Sequence, residues 1–167
     1  SEIQVEAKPY PTSFIDGTRS AETLTIPTAG VMQASGPWTL GAWAKAGLSN
    51  TWKVLFTLKS GAYWYLDVSL DPDNKPNFSY WDGGSISIKR VTSTLILDNN
   101  WHYWAITYSG TEVKLYIDGA LAAQKQATLV GAWPDVLRVG FWDSPTYNWN
   151  GLIDELRIDK IARTDEE

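Results

Sequence analysis

The sequence predicts an all-β domain built as a two-sheet antiparallel sandwich or jelly roll. Short runs that alternate between apolar and polar residues recur along most of the chain, as half-buried strands do. Turn-forming residues separate these runs at short intervals, and no stretch keeps an apolar period of 3.6 residues. Many short strands with frequent turns are typical of β-sandwiches and jelly rolls.

Two neighbouring runs in the first half predict a β-hairpin. Residues 52–59 place Trp52 on the same apolar face as Val54, Phe56 and Leu58, and residues 63–70 place Trp64 on a similar face. We therefore assign Trp52 and Trp64 to the core, as we do Trp38. The turns predicted at the ends of these runs are Ser60-Gly61 and Asp71-Pro72-Asp73-Asn74.

A second meander is predicted at residues 101–108, 112–118 and 120–124. Its second turn, Asp118-Gly119, is a strong hairpin signal, because both of its residues tolerate a positive φ. Alternation assigns Trp104 to the core and leaves Trp43 and Tyr116 on polar faces. In the last predicted strand, Asp154 falls on the apolar face between Leu152 and Leu156.

Composition limits the classes of partner. The chain has 167 residues, no cysteine, a formal net charge of -5 and a pI near 4.9, so disulfides are excluded and a nucleic-acid partner is not expected. No apolar run reaches the roughly 20 residues of a membrane helix, so membrane insertion is not expected either. We expect residues 1–11 to be a linker or the end of a preceding module, and residues 12–167 to form one domain.

Two motifs carry a family resemblance. The run WHYWAITY at residues 101–108, followed by LYIDG at 115–119, resembles the hallmark of LamG-like, concanavalin A-like jelly rolls. The ending at residues 151–167, which contains GLIDELRI and ARTDEE, is similar to the ending of the same superfamily. Trp104 departs from the pattern, because the family usually has a smaller aliphatic residue there. The resemblance implies a concanavalin A-like fold and a lectin-like, carbohydrate-binding role.

The first part of the chain carries a narrower resemblance. Residues 10–19 and 22–31 resemble the opening of LamG-like domains in tail or minor structural proteins of phages and prophages of Gram-positive bacteria. This resemblance implies a phage tail or virion, an extracellular location or a bacterial cell surface. It also implies neighbouring domains in a larger protein.

The same fold includes glycoside hydrolases, which are enzymes. Those enzymes need two carboxylates about 5 to 10 Å apart. No strand carries alternating acidic residues, and Asp154 and Glu155 are adjacent, so they point to opposite faces of a strand. His102 is the single histidine, with no carboxylate downstream on its strand before Glu112. We interpret His102 as structural and the domain as non-catalytic.

Asp154 is a candidate metal ligand. A buried carboxylate is costly unless something satisfies it. A structural Ca²⁺ bound by Asp154 and by oxygens near Asp16 would do so and would join the first and last segments. The alternative is that Asp154 accepts backbone amide hydrogen bonds, or pairs with Arg19 or Arg138, without a metal.

The candidate binding residues are aromatic rings in predicted loops. Residues 142–149 combine three large rings with hydrogen-bonding side chains, which suits a neutral glycan because sugar C–H faces pack on aromatic planes. The alternative is that such rings cap the ends of the sandwich. The predicted glycan or polysaccharide site comprises Trp142, Asp143, Tyr147, Asn148 and Trp149, with Trp81 and Trp133 as weaker candidates. The competing hypothesis is a structural or protein-contacting module of a virion or cell surface, without glycan binding.

Overall fold

The protein is an all-β sandwich of two antiparallel sheets, as the sequence predicts. The computed structural model describes residues 24–28, 32, 36–60, 63–81, 89–129 and 136–164. Within these ranges, strand order in the first sheet is β1-β10-β3-β4-β5-β6 and in the second β11-β2-β7-β8-β9. The predicted linker at residues 1–11 lies outside the described residues and stays a prediction.

The strand bounds agree with the two predicted meanders. The first sheet contains β1 (Leu24–Pro27), β3 (Lys53–Ser60), β4 (Tyr63–Leu70), β5 (Pro76–Tyr80), β6 (Lys89–Thr92) and β10 (Val136–Val139). The second contains β2 (Trp38–Ala46), β7 (Trp101–Tyr108), β8 (Glu112–Ile117), β9 (Ala120–Gln126) and β11 (Gly151–Asp159). A single turn of 3₁₀ helix, Pro145–Tyr147, lies between β10 and β11.

The predicted Asp-Gly turn is present between β8 and β9. Asp118 and Gly119 have φ angles of 52° and 78°, which are the two positive values that a type I′ hairpin needs. Asp118 also accepts a hydrogen bond from the Tyr103 N–H at 2.8 Å, which ties the turn back to β7.

The core lies between the two sheets. Trp38 and Trp104 are each 1% exposed, which confirms their assignment to the interior. Tyr116 was predicted on a polar face and is also buried. Trp64 lies in β4, but its side chain is outside the described part of the structure.

An irregularity in β3 reverses the face of its first residues. Val54 pairs with Ser69 and Phe56 pairs with Val68, so Leu55 is an extra residue in the strand. Phe56 and Leu58 therefore face the core as predicted, whereas Trp52 and Val54 lie on the opposite face of the sheet. The prediction that Trp52 belongs to the core was wrong. The extra residue in a bulge reverses which sheet face the residues before it point to, so they no longer alternate in step with those after it.

A similar irregularity in β11 changes the position of Asp154. The register shifts between Asp154 and Arg157, and Glu155 takes a φ of 50°. Ile153, Leu156 and Ile158 pack on the core, while Leu152 is 57% exposed. Asp154 consequently does not lie on the apolar face. The expectation that its carboxylate is buried and therefore needs a metal ion or hydrogen-bond donors was wrong.

Candidate functional site

A cleft lies on the face of the six-stranded sheet that points away from the core. Its volume is about 210 Å³. The walls come from β3, β4, β6 and the loop before β11, and the lining residues are Trp52, Val54, Asp67, Ser69, Arg90, Trp142 and Tyr147. Three aromatic rings therefore meet one carboxylate and one guanidinium group in a single depression.

A polar row crosses the sheet beneath and beside the cleft. The strand register places one residue from each strand in this row, in the order Thr25, Arg138, Thr57, Asp67, Ser79 and Arg90. Thr57 and Ser79 are fully buried although they face away from the core. The outer face of the six-stranded sheet, beneath the cleft and the loop before β11, is therefore polar.

Asp67 is the buried carboxylate of the row. It is 7% exposed, and Ser69 Oγ lies 3.4 Å from its Oδ1. Burial raises the pKa of Asp67 to about 7, although the charge of Arg90 and hydrogen bonds from Ser69 and Ser79 act in the opposite direction. At neutral pH this side chain is therefore protonated in a substantial fraction of the molecules.

Arg90 forms the outer wall of the cleft together with Trp52. Its guanidinium carbon lies 3.9 Å from the centroid of the Trp52 ring, a cation–π contact, and its Nε donates a hydrogen bond to Ser79 Oγ at 3.3 Å. The side chain is nevertheless exposed. These two contacts fix the orientation of the guanidinium plane while leaving it accessible from solvent.

The loop between β10 and β11 is held over the sheet by the bulge in β3. The Leu55 carbonyl accepts a hydrogen bond from the Gly140 N–H at 2.7 Å, and Val54 forms an isolated parallel bridge with Asn148. Asn148 Oδ1 in turn accepts a hydrogen bond from the Trp142 N–H at 3.0 Å. These contacts position the rings of Trp142 and Tyr147 at the cleft.

The structure separates the other predicted loop residues from the cleft lining. Asp143 forms ion pairs with Lys59, at 2.6 Å, and with Arg138. The hydrogen bond from Lys59, reinforced by Arg138, holds the pKa of Asp143 below its usual range. Asn148 accepts the hydrogen bond from the Trp142 N–H described above. Asp143 and Asn148 thus support the loop, with Asp143 anchoring it to β3 and β10.

Trp149 is a core residue, which corrects the prediction that it is a loop ring open to ligand. It is 9% exposed and packs edge-on against Trp104, with ring centroids 5.7 Å apart. No alternation exists in a loop to reveal an inward side chain, so the sequence could not show this burial. Trp149 therefore corresponds to the capping alternative.

The remaining candidates lie away from the cleft lining or outside the described residues. Trp81 is half-buried against the core. Trp133 and Asp16 fall in stretches that the structure does not describe. Asp154 Oδ1 accepts a hydrogen bond from the Glu155 N–H at 2.8 Å, as the metal-free alternative expects. Binding of Ca²⁺ by Asp16 and Asp154 stays a prediction, and no cluster of three or more acidic, His or Cys side chains occurs among the described residues.

His102 has two carboxylate neighbours that the sequence analysis missed. Its Nδ1 lies 2.7 Å from Asp118 Oδ2 and its Nε2 lies 3.0 Å from Asp98 Oδ1. Partial burial lowers the pKa of His102, but the hydrogen bonds to Asp118 and Asp98 outweigh it and raise the pKa above 6.5. This cluster joins the loop before β7 to the β8–β9 turn, on the sheet opposite the cleft.

The cleft supplies hydrogen-bonding and stacking groups. Asp67 is the single carboxylate in its described lining, whereas glycoside hydrolysis needs a pair. The lining residues that sequence reasoning missed are Trp52, Val54, Asp67, Ser69 and Arg90. The signal that could have indicated them is the polar face of β4, on which Asp67 and Ser69 alternate with core leucine and valine residues.

Comparison with known proteins gives a family match over most of the chain. The family model Laminin_G_3, described as the concanavalin A-like lectin/glucanases superfamily, matches residues 16–167. Neurexin-4 of Drosophila melanogaster is 34% identical over 61 residues, which is 36% of this chain and 5% of neurexin-4. The match thus spans only a small part of that relative.

Solved structures share the fold. The CBM40 of the Ruminococcus gnavus IT-sialidase, bound to alpha2,3 sialyllactose, has a TM-score of 0.66 at 12% identity, covering 78% of this chain and 79% of that one. A heptameric SAP-like pentraxin from Limulus polyphemus has a TM-score of 0.61 at 15% identity, covering 77% and 66%. The binding domain of botulinum neurotoxin DC in complex with SialylT has a TM-score of 0.63 at 13% identity, covering 86% and 37%. At these identities the similarity establishes the sandwich fold alone.

A search of the described residues for a helix long and apolar enough to cross a membrane found none.

Proposed function

Since this chain belongs to the Laminin_G_3 family of the concanavalin A-like lectin/glucanases superfamily, we propose that it is a non-catalytic carbohydrate-binding module whose binding site is the cleft on the six-stranded sheet. The observation that carries the proposal is the meeting of three rings, Trp52, Trp142 and Tyr147, with polar groups at one depression. Saccharides offer C–H faces to such rings and hydroxyl groups to such polar partners. Two of the similar structures are the CBM40 bound to alpha2,3 sialyllactose and the botulinum neurotoxin DC binding domain in complex with SialylT, which supports the proposal.

The proposed setting follows from the family and from the resemblance at the N-terminal end. Neurexin-4 is similar over one segment, which supports an extracellular location. The resemblance of residues 10–19 and 22–31 to phage and prophage modules supports a phage tail or a bacterial cell surface as the place where a wall or capsular glycan is bound. Neighbouring domains of a larger protein would then present this module to the glycan.

The experiment is a glycan microarray probed with the labelled domain, followed by titration calorimetry on the best binder. We expect Trp142→Ala and Trp52→Ala each to weaken binding about tenfold or more, because the loss of a stacking ring removes about 1 to 3 kcal/mol. Trp101→Ala is the matched control, since Trp101 is 42% exposed on the other sheet. Binding that is unaffected by both cleft substitutions, or absent from every glycan, would contradict the proposal.

The second candidate function is a structural or protein-contacting role, and the outer face of the five-stranded sheet favours it. Trp43, Trp101 and Leu152 are 38%, 42% and 57% exposed. The register places Trp101 and Leu152 on the same face of the sheet, on either side of Lys45. Exposed apolar side chains that share a face can contribute to a contact with another protein or domain. Loss of self-association in Trp43→Ala, with glycan binding absent in wild type, would favour this function over the first.

A further inference from the structure

The two ends of the polar row differ in how their positive charges are compensated. Towards one end, Arg138 of the row shares the carboxylate of Asp143 with Lys59, which lies outside the row. At the other end, Arg90 has no ion pair within the part of the chain that the structure describes, and its recorded contacts are the Trp52 ring and Ser79 Oγ. An exposed and oriented guanidinium group with no ion pair among the described residues therefore lies in the wall of the cleft.

The geometry of Arg90 favours a planar anion. Its Nε–H donates a hydrogen bond to Ser79 Oγ, and its other N–H groups have no hydrogen-bond partner among the described residues. A guanidinium group presents parallel N–H donors that match the two oxygens of a carboxylate. Stacking on Trp52 fixes the plane before a ligand arrives, so less conformational entropy is lost on binding.

Asp67 forms no ion pair with Arg90 in the described part of the chain, although the charge of Arg90 acts on its carboxyl group. Ser79 lies between them in the row, so the two backbones are separated by two strand spacings, or about 10 Å. Because burial holds the pKa of Asp67 near 7, much of its charge is missing at and below neutral pH. The positive charge of Arg90 is therefore only partly offset by Asp67 at neutral pH, and hardly offset at lower pH.

We infer that the cleft recognises saccharides that carry a carboxylate, with Arg90 as the residue that binds this group. This inference rests on the proposed carbohydrate-binding function and replaces the expectation of a neutral glycan. The rings of Trp142 and Tyr147 would then pack on the sugar, while Arg90 selects acidic members over neutral ones. The net charge of -5 opposes acidic ligands at long range, so the selectivity must come from this contact.

The test compares matched glycans that differ in the carboxylate alone. The probes are oligosaccharides containing uronic or sialic acid, and the same oligosaccharides after methyl esterification. They are arrayed together and titrated at 0.15 M salt. We expect esterification to weaken binding about tenfold, as the loss of a charge-assisted hydrogen bond does. Arg90→Gln should reduce this ratio to about one.

Three variants make the result specific to Arg90. Arg157→Gln is the matched control, because Arg157 lies on β11 in the other sheet and pairs with Asp159. It should keep the full preference for the acid. Arg90→Lys retains the charge without the planar fork, and we expect it to recover only part of the preference. Thermal unfolding of each variant would verify that the domain is folded.

The outcomes separate this inference from the proposed function. If neutral and esterified glycans bind as tightly as the acids, and Trp142→Ala abolishes that binding, the module binds carbohydrate but the inference is wrong. A preference for the acid that persists in Arg90→Gln also contradicts it. If no glycan binds, the proposed function fails and this inference fails with it.

Discussion

Replacing the buried carboxylate of Asp67 by an amide should stabilise the protein in a pH-dependent manner. The pKa of Asp67 rises from 3.8 to about 7 on folding, so the native state holds this proton more tightly than the unfolded state does. Between these two values the native state binds more protons, and the free energy of unfolding falls as pH rises. Above about pH 7 the penalty is complete. The shift is about three pH units at about 1.36 kcal/mol each, which amounts to about 4 kcal/mol.

The assay is urea denaturation of wild type and Asp67→Asn between pH 4 and pH 8. We expect similar free energies of unfolding near pH 4, where both side chains are neutral, and a variant that is more stable by about 4 kcal/mol at pH 8. The hydroxyl groups of Ser69 and Ser79 can donate or accept, so they can bind the amide as well.

Asp73→Asn is the matched control for this prediction. The Asp73 side chain is 75% exposed in the turn after β4, so its replacement should change stability by at most about 0.5 kcal/mol at either pH. A difference between Asp67→Asn and wild type that stays constant from pH 4 to pH 8, or a variant that is less stable at pH 8, would refute the reasoning.

Three further predictions concern other parts of the molecule. Because the pKa of His102 is raised, its ion pairs stabilise the fold below about pH 6.5, and this contribution is lost as pH rises through the folded pKa. In urea titrations, His102→Gln should therefore lower the free energy of unfolding more at pH 6 than at pH 9. An equal loss at both pH values would contradict this. Trp149→Ala should lower the free energy of unfolding by about 3 to 5 kcal/mol, as for other buried tryptophans, whereas the same assay on Trp101→Ala should show about 1 kcal/mol or less. If Asp154 binds Ca²⁺ as the sequence predicts, excess chelator should lower the melting temperature and Asp154→Asn should abolish the difference; a melting temperature indifferent to chelator and to added Ca²⁺ would count against the ion.

Sequence patterns predicted the fold well where strands are regular. The alternation in β7 and the Asp118-Gly119 turn needed only the two-residue period and the φ preferences of turn residues. Trp104 was placed correctly for this reason, and Trp38 in β2 was also placed correctly. These features are local, so a single sequence contains them.

Prediction failed where the period is broken or absent. The extra residue Leu55 moved Trp52 out of the core, and the shift near Glu155 moved Asp154 away from the apolar face. Trp149 lies in a loop, where no period exists, and its burial depends on contact with Trp104 in β7. The cleft itself depends on register between strands, because Asp67, Ser79 and Arg90 become neighbours only when β4, β5 and β6 are paired.

The bulge at Leu55 divides β3 into two stretches that a protein engineer could treat separately. Phe56 and Leu58, after the bulge, are fixed by packing, whereas Trp52 and Val54, before it, line the cleft. A display library randomised at Trp52, Ser69 and Arg90 would therefore vary ligand preference without altering the hydrophobic interior. Deleting Leu55, which is itself buried in the core, should disturb both regions together, since it would turn Trp52 inward and release the loop that carries Trp142.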